Sequence, residues 1–130
     1  APTNPAPPTA AAPQRVAVQH ILISVGGKLP GKPVRTADEA RTLAGDLLER
    51  ARGGQDYDAL VRTFTDDRAP GIYRLANHGV TPSGREEYPR RGMVSCFGDV
   101  AFALAVGEIG LCEYDERASP WGFHIIKRIR

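Results

Sequence analysis

Two of the three histidines in this 130-residue chain lie inside apolar, strand-like segments, one near each end of the sequence. His20 belongs to RVAVQHILIS and His124 to GFHIIKRI. A buried polar ring needs a hydrogen-bond partner, because an unsatisfied buried polar group costs about 1–3 kcal/mol. If the first and last strands pair, the two imidazoles are each other's simplest partner. By pattern alone, such a pair is more typical of satisfied core histidines than of a functional site.

Other chemical sites have weak support. His20, His124 and Asp67 could together supply metal ligands, but no HxH or HExxH spacing accompanies them, and we predict no metal. Cys96 and Cys112 lie in no nucleophile-elbow sequence and lack zinc-ligand spacing, so a Cys–His hydrolase is disfavoured and the redox compartment stays open. No GxGxxG or GxxxxGK segment indicates a nucleotide, and we predict no cofactor.

Composition limits the class of protein further. Lys and Arg number 17 against 15 Asp and Glu, a net charge of +2, and this lacks the basic excess that nucleic-acid binding requires. Apolar runs are interrupted well short of about 18 residues, so we predict no transmembrane segment in this chain. Residues 1–14 hold five prolines, five alanines and no charge. We interpret them as a disordered linker and residues 15–130 as one domain.

The elements that must position the histidines follow from periodicity and capping signals. Thr36 and Glu39 form a capping box before one helix, and Asp56 begins a second. We also expect Asp99 to cap a third helix that ends before Gly107. The predicted strands are Arg15–Ser24, Gly71–Leu75, Ile109–Tyr114 and Phe123–Ile129. The order β-α-α-β-α-β-β predicts an α+β fold with helices packed on an antiparallel sheet.

Four segments in this order carry a family resemblance: QHILIS, RARGGQDYDALVRTFTDD, FGDVAFALAVGEIG and WGFHIIKRI. Together they resemble the parvulin family of peptidyl-prolyl cis–trans isomerases over Arg15 to Arg130. The resemblance implies a four-stranded antiparallel sheet wrapped by three or four helices. It also implies non-covalent rotation of X-Pro bonds in unfolded or extended polypeptides, in a domain that we expect to be monomeric.

The resemblance implies a role for individual residues. The catalytic positions are His20, Asp67 and His124, where the histidines mainly position Asp67. The substrate-binding positions are Tyr73, Met93, Phe97 and Trp121.

The chain departs from the family pattern at several positions. Tyr73 stands where a leucine is usual, and Trp121 replaces the small hydroxyl residue that often precedes Gly122. The segment between Tyr73 and Met93 is about a dozen residues longer than in the family pattern. Either it is a lid or partner-contacting surface, or it is a solvated loop, and the role of His78 within it stays open.

Three cations follow the first strand, Lys28, Lys32 and Arg35. In one branch of the family a basic cluster in this loop selects phosphoserine or phosphothreonine before proline. Here the loop is shorter and lacks adjacent arginines. The three cations are therefore either a solvated surface or an anion-binding group that favours an acidic residue before proline.

An alternative function is a proline-segment-binding chaperone module with little turnover, which Trp121 and the long segment favour. Location is inferred from the Ala/Pro-rich start, which is typical of a spacer after an export or lipoprotein segment. We expect the bacterial cell envelope or periplasm, with or without a lipid anchor, and the cytoplasm is the alternative.

Overall fold

The computed structural model describes residues 12–130, so residues 1–11 of the predicted linker lie outside the described residues. The last two linker positions, Pro13 and Gln14, accept hydrogen bonds from the side chain and backbone of Asn77. The elements are β1 (Arg15–Ser24), α1 (Ala37–Arg52), α2 (Tyr57–Phe64), β2 (Ile72–Ala76), β3 (Glu87–Pro89), a short 3-10 helix (Arg90–Gly92), α3 (Ser95–Ala103), β4 (Ile109–Cys112) and β5 (Gly122–Arg128).

The sheet has five strands in the order β3-β2-β1-β5-β4, so the prediction of a four-stranded, wholly antiparallel sheet is wrong: a fifth strand is present, and it pairs in parallel. β1 is central and antiparallel to β2 and β5, as expected, and β4 is antiparallel to β5. The added strand β3 pairs with β2 in parallel over three residues. Three residues are too few to show alternation, and Pro89 disfavours a strand except at an edge, where β3 lies.

Both faces of β1 are buried, as its apolar pattern on both sides predicts. Ile21 and Ile23 pack under α1 and α2 in one core cluster. Val16 and Val18 lie on the opposite face, in a second cluster with α3. The histidine positions belong to the second face, so α3 is the helix that covers the candidate site.

The predicted caps of α1 and α2 are confirmed. The backbone N–H of Glu39 donates to the Thr36 hydroxyl and the N–H of Thr36 donates to the Glu39 carboxylate, at 3.1 and 2.9 Å. Asp56 accepts from the N–H of Ala59 at the start of α2. Within residues 12–130, no helix combines the length and apolarity needed to cross a membrane.

The start of α3 differs from the prediction. Asp99 lies inside the helix and accepts from the Arg90 guanidinium at 2.8 Å, so it is not the cap. The first turn closes earlier, through the bond from the Phe97 N–H to the Val94 carbonyl. The helix ends at Ala103, whereas the predicted helix continues until Gly107. After Ala103 the chain turns toward β4.

A disulfide joins Cys96, in the first turn of α3, to Cys112, the last residue of β4. Their Cα atoms are 5.8 Å apart, within the usual range for such a bond. Cys112 is opposite His124 in the β4–β5 register. The disulfide therefore ties the helix that covers the site to the strand beside His124.

Candidate active site

The two strand histidines contact each other, as the sequence predicts. β1 and β5 are adjacent, and His124 lies opposite Leu22. The Nδ1 atoms of His20 and His124 are 3.1 Å apart, and the rings stack with centroids 5.3 Å apart. Both side chains are buried. Each imidazole thus satisfies one nitrogen of the other in the middle of the sheet.

The hydrogen-bonded chain continues from His20 to Asp67. His20 Nε2 is 3.0 Å from Asp67 Oδ2, and the Tyr73 hydroxyl donates to the same oxygen at 2.8 Å. The segment after α2 is held against β1, because the Thr65 hydroxyl accepts from the N–H groups of Leu22 and Asp67. β1, β2 and the end of α2 therefore position the carboxylate together.

The ionisation of Asp67 limits the directions in which these hydrogen bonds can run. The hydrogen bond from His20 is the main cause that holds the pKa of Asp67 well below its usual range, so at neutral pH Asp67 is a carboxylate and only accepts. In the tautomer of His20 that donates from Nε2 to Asp67, Nδ1 is the acceptor for the Nδ1–H of His124. His124 Nε2 is buried and has no hydrogen-bond partner among residues 12–130. Burial, followed by the proximity of His20, lowers the pKa of His124 to about 3.

Aromatic side chains form the walls of the site. Phe97 lies edge-on to both histidines, with ring centroids 5.1 and 5.5 Å away, and Tyr73 lies edge-on to His20 at 5.1 Å. Met93 and Tyr73 pack against the same core cluster as Phe97. Burial and the neighbouring carboxylate raise the pKa of Tyr73 to about 12, so its hydroxyl stays a donor. Two of the four predicted pocket residues, Tyr73 and Phe97, therefore lie beside the histidines, and Met93 packs against the same cluster.

Trp121 does not join this group. Its side chain is 44% exposed, and its ring contacts neither imidazole in the described part of the chain. Its carbonyl accepts from the N–H of Val25. Next to it, Gly122 has a φ of +152°, and a Cβ there would lie 2.1 Å from the Ile23 carbonyl oxygen. Trp121 thus lies at the turn that leads into β5, and its role in substrate binding stays a prediction.

The three predicted cations do not converge on one site. Arg35 Nη1 is 2.6 Å from the buried Asp66 carboxylate and also donates to the Ser24 carbonyl. Lys28 donates to the Pro120 carbonyl, and Lys32 is exposed. The charge of Arg35 is thus already neutralised inside the fold.

Tyr57 is a contributor that sequence reasoning missed. Its buried hydroxyl is placed to donate to the carbonyls of Gln19 and Ile125, at 3.1 and 2.8 Å. These residues adjoin His20 and His124, so one hydroxyl bridges the two strands at the positions next to the imidazole pair. Burial raises the pKa of Tyr57, which keeps the donor proton in place. The only signal in the sequence was a tyrosine where the apolar stripe of α2 needs no hydroxyl.

A buried histidine pair that extends to a carboxylate, beside aromatic side chains on a sheet covered by helices, agrees with the parvulin resemblance of the sequence. The comparison with protein families agrees: a family model described as PPIC-type PPIase domain matches residues 8–129. This chain therefore belongs to the family of PPIC-type peptidyl-prolyl isomerase domains.

Individual proteins support the same assignment. The chain is 30% identical over 111 residues to the chaperone SurA of Chromohalobacter salexigens, a match that covers 85% of this chain and 21% of that protein. The chain thus spans about a fifth of the length of this curated relative. TbPIN1 shares the fold, with a TM-score of 0.68 at 18% identity over 90% of this chain and 98% of the other. The peptidyl-prolyl isomerase ESS1 from Candida albicans has a TM-score of 0.60 at 25% identity, covering 90% and 63%.

Proposed function

We propose that this domain accelerates rotation about X-Pro bonds in unfolded or extended polypeptides without forming a covalent intermediate. The observation that carries the proposal is the continuous chain from His124 through His20 to Asp67 and Tyr73, at the wall of an aromatic pocket. We expect the proline ring of a substrate to lie against Phe97, close to the ionised carboxylate of Asp67.

The reaction makes a simple physical demand. Rotation breaks amide conjugation against a barrier of about 18–20 kcal/mol, and no other bond is made or cut. Only interactions that are stronger for the twisted amide than for the planar one accelerate it. Met93, Phe97 and Tyr73 can hold the pyrrolidine ring and exclude water, which disfavours the charge-separated planar amide.

The polar chain supplies the second part of the mechanism. His20 and His124 are buried, so they act as positioning residues that fix Asp67, whose side chain is one-third exposed. The carboxylate can bias the electrostatic field on the carbonyl side of the rotating bond. Tyr73 donates to the same carboxylate oxygen that His20 contacts.

The test is a protease-coupled assay of cis–trans exchange on a short X-Pro peptide. We expect Asp67→Ala and Asp67→Asn to lower kcat/KM by at least about tenfold, since each removes the charge and Asn keeps the size. Asp46→Ala, an exposed carboxylate on α1, serves as the matched control. An unchanged rate in both Asp67 variants contradicts the role of Asp67. Saturable binding by the wild type without turnover would instead favour a chaperone module that captures proline segments.

The cations after β1 bear on which residue the domain prefers before proline. Because Arg35 is paired with Asp66, any preference for an acidic residue depends on Lys28 and Lys32, and this stays a prediction. Glu-Pro, phosphoserine-Pro and Leu-Pro peptides compared under one condition test it. Equal rates eliminate the cation argument.

We also propose that the domain works in an oxidising compartment, the cell envelope or periplasm. The Cys96–Cys112 disulfide supports this, because such bonds persist mainly outside the reducing cytoplasm. Thiol trapping of the chain in cell fractions tests the location. Free thiols in the native chain would favour the cytoplasm, and the lipid anchor and monomeric state stay predictions.

A further inference from the structure

Tyr88, on the unexpected strand β3, extends the aromatic site toward the surface. Its ring centroid is 5.9 Å from that of Tyr73, and its side chain is 46% exposed. Tyr73 in turn contacts the rings of His20 and Phe97, at 5.1 and 5.9 Å. A continuous row of ring contacts therefore leads from the buried pocket to an exposed ring.

The exposed ring is held in place by a regular element. β3 pairs with β2 in parallel, with Tyr88 opposite Leu75. Glu87 forms an ion pair with Arg15 at the start of β1 and accepts from the N–H of Ser83 at 2.8 Å. These bonds fix the strand that carries Tyr88 relative to the pocket, so the ring is a preorganised surface.

We infer that Tyr88, together with the outer part of Tyr73, forms a subsite for an aromatic side chain of the substrate close to its proline. The inference rests on the proposed isomerase function and names a substrate preference for the same site. Aromatic rings attract one another at centroid distances of about 4.5–7 Å, the range in which Tyr73 and Tyr88 already lie. An extended chain rises about 3.3 Å per residue, so a ring one or two residues from the proline reaches this distance from the pocket.

The position of the subsite decides its occupant. Tyr88 contacts Tyr73, which is part of the pocket wall and donates to Asp67. A polypeptide whose proline lies against Phe97 therefore passes next to Tyr88. Because Tyr88 is continuous with the pocket wall, the molecule that contacts it is the substrate polypeptide itself.

The experiment uses NMR exchange measurements on the whole chain, which need no coupled protease. Two peptide series are identical except for Phe, Leu or Ala at the residue before proline or at the residue after it. We expect the wild type to prefer Phe over Ala by about two- to tenfold in kcat/KM, mainly through KM, in at least one series. Tyr88→Ala should abolish this ratio and Tyr88→Phe should retain it. Val106→Ala, which alters an exposed apolar residue on the turn after α3, is the matched control and should keep the wild-type ratio.

The outcomes separate this inference from the proposed function. Turnover with no preference for Phe, or with the same preference in Tyr88→Ala, overturns the aromatic subsite and leaves the isomerase intact. Absence of turnover with every peptide overturns the proposed function itself. If thermal melting shows that Tyr88→Ala is unfolded, Tyr88→Leu keeps an apolar side chain on β3 and is judged by the same loss of ratio.

Discussion

The buried position of His124 predicts a specific loss of stability in mild acid. Burial, then the proximity of His20, lowers the pKa of His124 to about 3, against 6.5 for a free histidine. Below pH 6.5 the unfolded chain therefore binds a proton at this residue that the folded chain does not bind. The free energy of unfolding is highest above pH 6.5 and falls as the pH decreases, until the folded state also protonates near pH 3.

The magnitude follows from the same two values. Between pH 7 and pH 5 the linkage relation gives a loss of about 2 kcal/mol from His124 alone, and by pH 3 the loss reaches about 4 kcal/mol. Asp67 acts in the same direction, because its pKa is also lowered. Its contribution is lost only below the ordinary carboxyl range, so the window from pH 7 to 5 reports mainly on the histidine.

Urea denaturation at pH 7 and pH 5 measures this loss. His124→Gln removes the titrating ring while its amide can still donate to His20, so this variant should lose about 2 kcal/mol less than the wild type over the interval. His78→Gln changes an exposed histidine and should behave as the wild type does. Identical pH dependence in the wild type and His124→Gln would refute the assignment of a buried, neutral imidazole.

Three further predictions concern the elements around the site. Tyr57→Phe removes the hydroxyl that bridges β1 and β5, so urea denaturation should show that the free energy of unfolding falls by about 1 kcal/mol. The variant should also have a lower kcat, with a smaller change in KM. An unchanged kcat would limit Tyr57 to stability. Reduction of Cys96–Cys112 opens a loop with a sequence separation of 16 residues and should cost about 3 kcal/mol. A melting temperature that is the same with and without reductant would contradict this. Gly122→Ala brings a Cβ within 2.1 Å of the Ile23 carbonyl oxygen, so far-UV circular dichroism should show a largely unfolded chain. If this variant kept a native spectrum and melting temperature, β5 would have to move away from the Ile23 carbonyl without unfolding the chain, which would contradict the prediction.

The elements readable from the sequence are those with local causes. The capping box of Thr36 and Glu39 involves residues three apart, so its chemistry is visible without the rest of the chain. The apolar stripe of α1 and the two-sided burial of β1 also follow from periodicity alone. The pairing of His20 with His124 could be predicted because buried rings need partners and few were available.

The remaining features depend on residues that are distant in the sequence. β3 exists because β2 offers a partner at its edge, and nothing within Glu87–Pro89 predicts that pairing. The Cys96–Cys112 bond requires α3 and β4 to approach each other, which spacing alone does not show. The hydroxyl of Tyr57 reaches two different strands, so its role appears only once they are adjacent.

The two edge strands of the described sheet are much shorter than its central strand, and this limits how an extended polypeptide can pair with the sheet. β3 has three residues, one of them Pro89, and β4 has four, whereas the central β1 has ten. Long open edges pair readily with extended polypeptide, and proline lacks the N–H that such pairing needs. A substrate chain therefore finds little backbone on which to add a strand. Under the proposed function, a substrate would therefore contact mainly side chains near the pocket, which would favour release after each bond has turned.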